Sequence, residues 1–486
     1  MKQGQVLCLT VLMVLFISSG FAAGKELHVG PTGQYASLSA AVDGAEPGDV
    51  IYVAAGCYAE PSENYPIEIG VPITVIGEPG TVLKGALFKP ILQVTAADVE
   101  IQNIEFQLLR WAVVCTGDRM SLTACRFVLA DETQRVSSCG VWLAGVYECA
   151  ITDSDFFGCG LCLAGPPLSE QSKGLPVLTG LFEVGEDTAY FTSHFLLNNR
   201  VNGKPLYFFR NQDNVTVPPD AGGVIAVGCS NVAVEGIDAS DSSMGIQLIH
   251  CQDVRINNVT VDRCGIFGLY LAYTQRGIIT NVSCAESNHG IDLRAVQNLV
   301  VSKCVVTDCE QGIFLSFAKD SLVADCQIAG CGNGFFIAAG ESNQLANSQV
   351  EANGNGVYSQ GERDFLITGN SLTENKTAGL RFLRSSGQVI GNEFQTNWVG
   401  ALAAESSPFT LSHNTFVANA CTALYLRDIS AGKISFNRFA DFGRTSLELD
   451  GYVADTLIVS NTFQGERSDL QISLPESVLF LLNEWE

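Results

Sequence analysis

A four-residue pattern of glycine, apolar, any and apolar residue recurs through the second half of the chain. Successive glycines lie 21 to 23 residues apart. A step this regular is the sequence signature of a repeat protein. The copies are Gly245–Leu248, Gly268–Leu271, Gly290–Leu293, Gly312–Leu315, Gly334–Ile337, Gly356–Tyr358, Gly379–Phe382 and Gly400–Leu402, followed by the degenerate Ala423–Leu426 and Ser446–Leu449.

Two columns of mainly asparagine run in phase with the glycines. One extends from Asn281 to Asn461 and the other from Cys331 to Asn419. We interpret the asparagines as residues that tolerate left-handed bends and that bond to each other along the stack. Apolar and polar residues alternate between the columns, as in residues 389–394, which is typical of half-buried strands.

One architecture satisfies these patterns. A coil of about 22 residues holds about three short strands, and it cannot bury its own apolar face. Coils must therefore stack, and equivalent strands then pair in parallel at about 4.8 Å. The sequence predicts an all-β fold, a parallel β-helix of about 22 residues per coil. A leucine-rich repeat has a similar period, but the copies do not show its leucine spacing.

The first third of the chain follows the same plan less regularly. Leu38, Ala41 and Val42 have helical spacing, and residues 47–49 (Pro-Gly-Asp) end that helix. We predict that this helix caps the exposed end of the stack, where strand groups are unpaired. The expected division is 1–22 signal peptide, 23–165 amino-terminal cap and irregular coils, 166–222 loop excursion or irregular coils, 223–464 regular repeats, and 465–486 carboxy-terminal cap with Val478, Leu479, Leu481, Leu482 and Trp485 sealing the end.

Charge excludes whole classes of partner. Lys and Arg number 27 against 51 Asp and Glu, so the net charge is −24. A nucleic-acid binder needs a basic surface, and so does a protein held on anionic lipid. Residues 1–22 combine a positive start, an apolar run and small residues, which indicates a secretory signal. We therefore expect a secreted, periplasmic or cell-surface protein with no membrane span after signal removal; an uncleaved anchor is the alternative.

Two segments resemble known β-helix proteins. Residues 35–60, with Tyr35, Ser37-Leu38 and the run Pro47-Gly48-Asp49, resemble the opening of pectin-lyase-like proteins. Residues 202–224 resemble NosD-like periplasmic proteins. The resemblance implies a single-stranded, right-handed β-helix over nearly all of the mature chain. It does not specify an activity, because these groups include lyases, hydrolases, epimerases, adhesins and an accessory factor for copper-site assembly.

The third residue of each copy is expected to point out of the coil. Five of the ten such residues are aromatic. Exposed rings would stack on sugars, and charged neighbours would bind hydroxyl or uronate groups. The alternative is a structural ladder of stacked strand residues, or a face covered by the 166–222 segment. The predicted carbohydrate-binding residues are Phe314, Phe336, Tyr358, Arg381 and Tyr425.

A cluster on neighbouring coils suggests catalysis. Tyr270, His289, Asp292 and Arg294 fall close together, and Asp292 and Arg294 share a strand face because they are two residues apart. Enzymes acting on uronates need a base for the C5 proton and a cation for the enolate. We therefore name these four residues as the candidate catalytic site. The alternative is an ordinary surface ion pair beside a turn histidine.

Other chemistry has weaker support. Asp238 with Asp241 or Asp262 would be an acid pair for glycoside hydrolysis, although acids are abundant. No metal site is predicted, since His and Met are scattered and Cys159/Cys162 fits packing; calcium on surface acids stays open. Cysteines 22 residues apart stack in adjacent coils, and we interpret them as buried thiols, with a few disulfides as the alternative. The pairs are Cys229/Cys251, Cys304/Cys326 and Cys309/Cys331.

Three functional hypotheses follow. The first is a secreted or periplasmic protein that binds polysaccharide or is a structural element of the cell envelope, so that its partner is a polysaccharide or an envelope component. The second is a polysaccharide lyase, hydrolase or epimerase using the face near Asp292. The third, implied by the NosD resemblance, is an accessory factor for copper-site assembly. The oligomeric state is left open.

Overall fold

The described residues form a right-handed parallel β-solenoid. The computed structural model describes residues 24–166, 187–464, 470–472 and 477–485. They make about 20 turns of about 22 residues each. The predicted all-β class, handedness and coil length are confirmed. The predicted signal peptide lies outside the described residues.

The first part of the chain forms strands β1 to β18. Helix α1 is Leu38–Asp43, a 3-10 helix covers Glu132–Gln134, and α2 is Ala189–Thr192. In chain order the strands are Glu26–Val29, Val50–Val53, Gly56–Tyr58, Ile67–Ile69, Thr74–Gly77, Thr81–Lys84, Pro90–Val94, Glu100–Gln102, Glu105–Leu108, Trp111–Cys115, Ser121–Thr123, Arg126–Leu129, Cys139–Ala144, Ala150–Thr152, Asp155–Phe157, Leu161–Ala164, Phe195–Leu197 and Arg200–Val201.

The second part forms strands β19 to β52. In chain order they are Lys204–Arg210, Gly223–Val227, Ala233–Glu235, Met244–Ile249, Gln252–Thr260, Phe267–Ala272, Gln275–Ala285, His289–Arg294, Gln297–Ser302, Val305–Thr307, Gln311–Ser316, Leu322–Ala324, Gln327–Ala329, Asn333–Ala338, Gln344–Ala346, Gln349–Glu351, Asn355–Gln360, Phe365–Thr368, Ser371–Thr373, Ala378–Leu383, Gly387–Ile390, Glu393–Gln395, Val399–Ala404, Phe409–Ser412, Thr415–Val417, Thr422–Arg427, Gly432–Ser435, Arg438–Ala440, Thr445–Asp450, Thr456–Val459, Thr462–Phe463, Leu470–Ile472, Val478–Leu481 and Glu484–Trp485.

These strands form two stacks. The first stack, β1 to β18, has three parallel sheets: A (β1, β2, β5, β8, β11, β14, β17), B (β3, β6, β9, β12, β15, β18) and C (β4, β7, β10, β13, β16). The second stack, β19 to β52, has two. Sheet D holds β19 and the strands β20, β22, β24, β26, β29, β32, β35, β38, β41, β44, β47 and β50, and the 21-stranded sheet E holds the rest.

Helix α1 covers the first coil as predicted. Leu38, Ala41 and Val42 are buried, and the Ser37 hydroxyl caps the helix by accepting the Ala40 N–H at 3.3 Å. The Glu63 carboxylate accepts the N–H groups of Leu38 and Ser39 at 2.7 and 2.9 Å. These bonds satisfy donors that a helix start leaves unpaired.

The chain reverses direction between the two stacks. Strands β18 and β19 pair antiparallel, with Arg200 opposite Pro205 and Val201 opposite Lys204. The turn between them is Asn202-Gly203, both with positive φ (49° and 79°), which is the conformation that a two-residue hairpin with matching twist requires. Sheet B thus continues into sheet D with strands running the opposite way. Within the 166–222 segment, residues 187–210 therefore carry α2 and β17 to β19, while residues 167–186 lie outside the described residues.

The second stack closes the end of the first. Outward side chains of β20, β22 and β24 (Ile225, Val227, Ile249 and Ala272) belong to the apolar core of the first stack. The Gln247 amide donates to the Leu163 carbonyl at 2.5 Å and accepts the Leu163 N–H at 3.4 Å. The side chain thereby satisfies backbone groups on the free edge of β16, which an uncovered edge would leave unpaired.

Buried asparagines hold successive coils in register. The Asn392 carbonyl oxygen accepts the backbone N–H and the side-chain amide of Asn370, both at 2.9 Å. Its own amide donates to Asn414 and to the Ile367 carbonyl at 3.0 and 2.9 Å. The predicted hydrogen bonding between asparagines of successive coils is confirmed. Every asparagine from Asn370 to Asn461 in this ladder is buried.

The assumed role of these asparagines in the bends needs a correction. The left-handed residue at this corner is the one before the ladder asparagine, for example Gly391 (φ 65°) or His413 (φ 57°). Asn281 and Asn347, placed in the same column by sequence, do occupy the left-handed position (φ 54° and 49°). The column therefore shifts by one residue after Asn347, and from there asparagine serves through its amide.

Core cysteines and the carboxy-terminal coil complete the fold. All sixteen cysteines in the described part of the chain are free thiols, fourteen of them buried.

At the last coil, Val478 and Trp485 pack against the core, and the Trp485 ring stacks on Phe463 at 4.7 Å. Leu479, Leu481 and Leu482, expected to help seal this end, are 49–82% exposed. They lie on the outer side of the coil.

We predict that Asn392→Ala destabilises the solenoid by about 2–4 kcal/mol, because it leaves the buried Asn370 N–H and Ile367 carbonyl unpaired. Thermal denaturation followed by circular dichroism measures the effect. Gln395→Ala, an exposed amide on the same coil, is the matched control and should melt with the wild type. Equal melting temperatures for both variants would contradict the ladder's role.

One carboxyl group lies inside the second stack. Glu362 is fully buried. Its Oε1 accepts the Asn343 amide at 2.8 Å, while Oε2 has no hydrogen-bond partner among the described residues. Burial raises the pKa of Glu362 to about 7. The folded protein therefore holds this proton at pH values where the unfolded chain has lost it.

Stability should fall as pH rises from about 4.5 to about 7, because the folded state binds the extra proton in that window. The penalty at pH 8 is about 2–3 kcal/mol, and Glu362→Gln should remove it. Urea denaturation at pH 5 and pH 8 tests this, with the exposed Glu351→Gln as control. The idea fails if Glu362→Gln gains no more stability at pH 8 than at pH 5.

Candidate functional site

The four candidate catalytic residues do come together. On β26, the Asp292 carboxylate contacts His289 Nδ1 at 2.7 Å and accepts from Arg294 Nε at 2.7 Å. Tyr270 lies opposite Asp292 on β24, one coil earlier. The Arg294 guanidinium lies 5.7 Å from the Tyr270 ring centre.

This cluster is buried. Asp292 has no exposed surface, and His289 and Tyr270 are 4% and 5% exposed. Burial alone would raise the pKa of Asp292, but the charge of Arg294 and the hydrogen bond from His289 outweigh it and lower that pKa. Burial raises the pKa of the Tyr270 phenol. Both partners of the Asp292 carboxylate lie on its own strand, and a carboxylate that is fully paired and desolvated is not open to a polymer.

The expected outward exposure is therefore wrong for Gln247, Tyr270 and Asp292. These residues do leave the coil, but the end of the first stack lies against them: Tyr270 joins its core, and Gln247 bonds to β16. The contact joins residues more than 80 positions apart, so the local repeat pattern carries no sign of it. The catalytic role of the four residues stays a prediction.

Asp292→Asn should destabilise the protein by about 3–5 kcal/mol, because it leaves the Arg294 charge buried without a partner. Asp253→Asn, in the exposed pair with Arg276, is the control and should cost less than about 1 kcal/mol. Chemical denaturation gives both values. Folding lowers the pKa of Asp292. Its contribution to the free energy of unfolding is therefore fully present above the pKa of the unfolded state and is lost as pH falls through the pKa of the folded state. A loss of activity without a loss of stability would instead support catalysis.

The predicted carbohydrate-binding residues lie on the outward face of sheet D beyond the buried part. All five are half-buried. Phe314 and Phe336 have ring centres 5.0 Å apart, and Phe336 stacks on Tyr358 at 4.7 Å with an interplanar angle of 6°. The Arg381 guanidinium lies 5.0 Å from the Tyr358 ring centre. Four of the five therefore form one continuous ladder, which we call the ring ladder.

Tyr425 stands apart from the ring ladder. Leu402 separates it from Arg381 in the register of sheet D. Its hydroxyl donates to the Asp450 carboxylate at 2.7 Å. Tyr425 and Asp450 therefore form a separate polar patch near the end of this face.

Stacking in the ring ladder limits what it offers a ligand. Because Phe336 and Tyr358 are nearly parallel and in contact, each ring covers a face of the other. Mainly ring edges are left for a sugar, whereas sugar stacking uses ring faces. The ring ladder therefore stabilises the sheet, as the structural interpretation held, and also forms an apolar ridge at the surface.

An amide row beside the ring ladder was not foreseen from the sequence. Gln311, Asn333 and Asn355 begin the strands β29, β32 and β35 and lie in register. The Asn355 amide donates to Asn333 at 2.8 Å, and the Asn333 amide donates to Gln311 at 3.1 Å. All three side chains are half-buried. Three amides directly before the glycine in consecutive repeats were the available signal.

Trp398 is a second feature that sequence reasoning missed. It immediately precedes β41, at the edge of the same face, and is 56% exposed. Within the described ranges, no ring stacks against its indole. The equivalent residue one coil earlier is Thr377, and those two and three coils earlier are Gly354 and Gly332, so none of the three places a ring against it. Trp398 thus presents an open ring surface, which the ring ladder does not.

The candidate acid pair is already engaged. Asp241 accepts from Arg263 Nε at 2.8 Å and contacts Arg135 at 3.1 Å. Asp238 contacts Lys204 at 3.8 Å. Arg135, Lys204, Asp238 and Asp241 line a groove of about 300 Å³ where the two stacks meet. The Arg135–Asp241 pair ties the first stack to the second.

Metal ligation has no arranged donor set in residues 24–166, 187–464, 470–472 and 477–485. No group of three or more His, Cys, Asp or Glu in these ranges is placed to hold an ion. Cys159 and Cys162 are buried, and burial raises both pKa values. That favours the packing role predicted for them.

Comparison with known proteins agrees with this architecture. The family described as "Right handed beta helix region" matches residues 244–394 and 334–473, a little under half of the chain. This chain is a right-handed parallel β-helix protein. Comparison with curated proteins gives no match. No helix of the described part is long and apolar enough to cross a membrane.

Solved β-helix structures resemble the chain only distantly. The periplasmic alginate epimerase is 13% identical over 90% of this chain and 85% of its own, with a TM-score of 0.29. The exopolygalacturonase from Thermotoga maritima is 12% identical over 85% and 84%, with a TM-score of 0.27. The Azotobacter vinelandii mannuronan C-5 epimerase A-module is 10% identical over 87% and 91%, with a TM-score of 0.24. Similarity this low carries no argument about function.

Proposed function

We propose that this β-helix protein binds polysaccharide through the outward face of sheet D from β29 to β47. The observation that supports this most is an outward strip that carries the half-buried amide row and ring ladder, with the exposed Trp398 at its edge two coils beyond Asn355. The same face is buried from β20 to β26. The strip therefore begins where cover by the first stack ends.

The chemistry of the strip suits a chain of hydroxyl groups. A primary amide offers two donors and a carbonyl acceptor. Asn333 and Asn355 each use one amide donor in the row, which leaves the second donor of each for a ligand. Ring edges and the open Trp398 indole supply apolar contact for sugar C–H groups.

Repetition supplies the affinity. Each contact with a hydroxyl is weak on its own, but equivalent contacts recur about every 4.8 Å along the stack. A polymer that engages several coils at once gains from effective concentration. A solenoid is rigid, so little ordering is needed on binding.

We place the protein outside the cytoplasm. The support is the pattern of residues 1–22, with its apolar run and small residues at a cleavage position. A polysaccharide or another cell-envelope component is the partner that such a location offers. Catalysis at Tyr270, His289, Asp292 and Arg294, and a copper accessory role, remain hypotheses with less support, because the first cluster is buried and no donor set in the described ranges is arranged for a metal.

Replacing Asn333 or Trp398 by alanine should weaken polysaccharide binding at least tenfold, which corresponds to about 1.4 kcal/mol. Asn333→Ala removes the central amide of the row, and Trp398→Ala removes the open ring. Glycan-array binding followed by affinity electrophoresis measures the loss.

The matched control is Gln327→Ala with Gln349→Ala. These two exposed amides also lie in register on adjacent coils, but on sheet E. The control should bind as the wild type does, and melting curves should show that all variants are folded. Binding that survives both sheet D variants but is lost in the control would move the site to sheet E.

A further inference from the structure

An apolar patch lies on the outward face of sheet E, on strands β48 and β51 and at the corner that follows β45 and β51. Its members are Phe436, Leu457, Val459, Leu479, Leu481 and Leu482. Four of these six side chains are 49–82% exposed. Together the six expose roughly 500 Å² of apolar surface, and a patch of this size is often an interaction site. We call these six residues the carboxy-terminal patch.

The solenoid does not need this patch in order to fold. In the column that leads to Leu457, the outward residues of the three preceding coils are polar. They are Gln388, Thr410 and Lys433. The core at β48 is already closed by the inward Ile458, which has no exposed surface. Folding therefore does not account for the outward apolar side chains, which suit a contact with another molecule.

Acidic residues are absent from the strands of this face. Residues 432–435, 456–459 and 478–481 contain one lysine and no Asp or Glu, in a chain with 51 acidic residues. Two copies of a chain with a net charge of −24 repel each other over about 8–10 Å at physiological salt. They can approach closely where acids are missing, and this face of sheet E meets that condition.

Two unpaired charges stand at the rim of the carboxy-terminal patch. Lys433 lies on β45, and Asp455 directly precedes β48; both side chains are exposed. Neither has an ion-pair partner among the described residues. The Asp455 carboxylate only accepts the Ser477 hydroxyl at 3.1 Å. A cation and an acid beside one apolar surface can pair with each other between two copies of the chain.

A two-fold axis along β48 brings apolar side chains of two copies together. Such an axis reverses the stack, so that β45 of one copy faces β51 of the other and β48 faces β48. Leu457 and Val459 then meet their own equivalents. Phe436 meets Leu482 of the second copy. The contact is isologous, because the same surface serves on both sides.

The same arrangement pairs the rim charges. The alkyl stem of Lys433 lies over Leu479 of the second copy, and its ammonium group then reaches Asp455 of that copy. This pair forms twice, once on each side of the axis. We propose that the protein is a two-fold dimer, joined through the carboxy-terminal patch with the two stacks antiparallel. The patch and its polar rim together approach the 800 Å² or so that each partner buries in a stable interface.

Sedimentation equilibrium tests the dimer. The wild type should be dimeric at about 10 µM, and Leu482→Asp should raise the dissociation constant at least tenfold. Ile278→Asp is the matched control, because Ile278 is also an exposed aliphatic residue on the outward face of sheet E, on β25. This control should dimerise as the wild type does. Melting curves should show that all variants are folded.

Exchanging the rim charges tests the register. Lys433→Glu and Asp455→Lys should each weaken dimerisation by about two- to fivefold. The double variant should restore it at unchanged net charge. Asp455→Lys alone makes the chain less acidic, so a contact governed only by overall repulsion would tighten instead.

Three results would overturn the proposal. The first is a wild type that stays monomeric at about 100 µM. The second is a Leu482→Asp variant that dimerises as well as the wild type. The third is a double charge exchange that remains as weak as the single ones, which would exclude the two-fold register.

Discussion

A single coil of this chain cannot keep its apolar side chains away from water, and every other feature depends on how that is solved. Stacking in register buries one coil against the next and pairs each strand with its equivalent. The same register aligns like with like inside the stack. Phe394, Phe416, Phe439 and Phe463 stack at 4.6 to 4.9 Å, and Asn370 to Asn461 satisfy the backbone at one corner. Register places identical side chains next to each other, and the contacts between those side chains in turn stabilise the register.

Register alone does not explain the middle of the molecule. The chain reverses at Asn202-Gly203, and the start of the second stack closes the end of the first. This places Asp292, Arg294 and Gln247 in a contact where water is excluded. Burying charges is costly unless each is paired, and the bonds of Asp292 to His289 and Arg294 meet that requirement. The outward face of sheet D is therefore a structural joint at one end and an open surface at the other.

Features that depend on residues close together in the sequence could be predicted from it. The coil length follows from glycine spacing, and helix α1 follows from Leu38, Ala41 and Val42. The burial of Tyr270 and Asp292 could not, because it depends on β16, which is remote in sequence. Asn202-Gly203 was a readable hairpin signal inside a segment treated as irregular. Of the candidate surface, Phe314, Phe336, Tyr358 and Arg381 were found by their phase in the repeat. The predicted outward residues stand two positions after each glycine, whereas the amide row stands one position before it and has no place in that prediction.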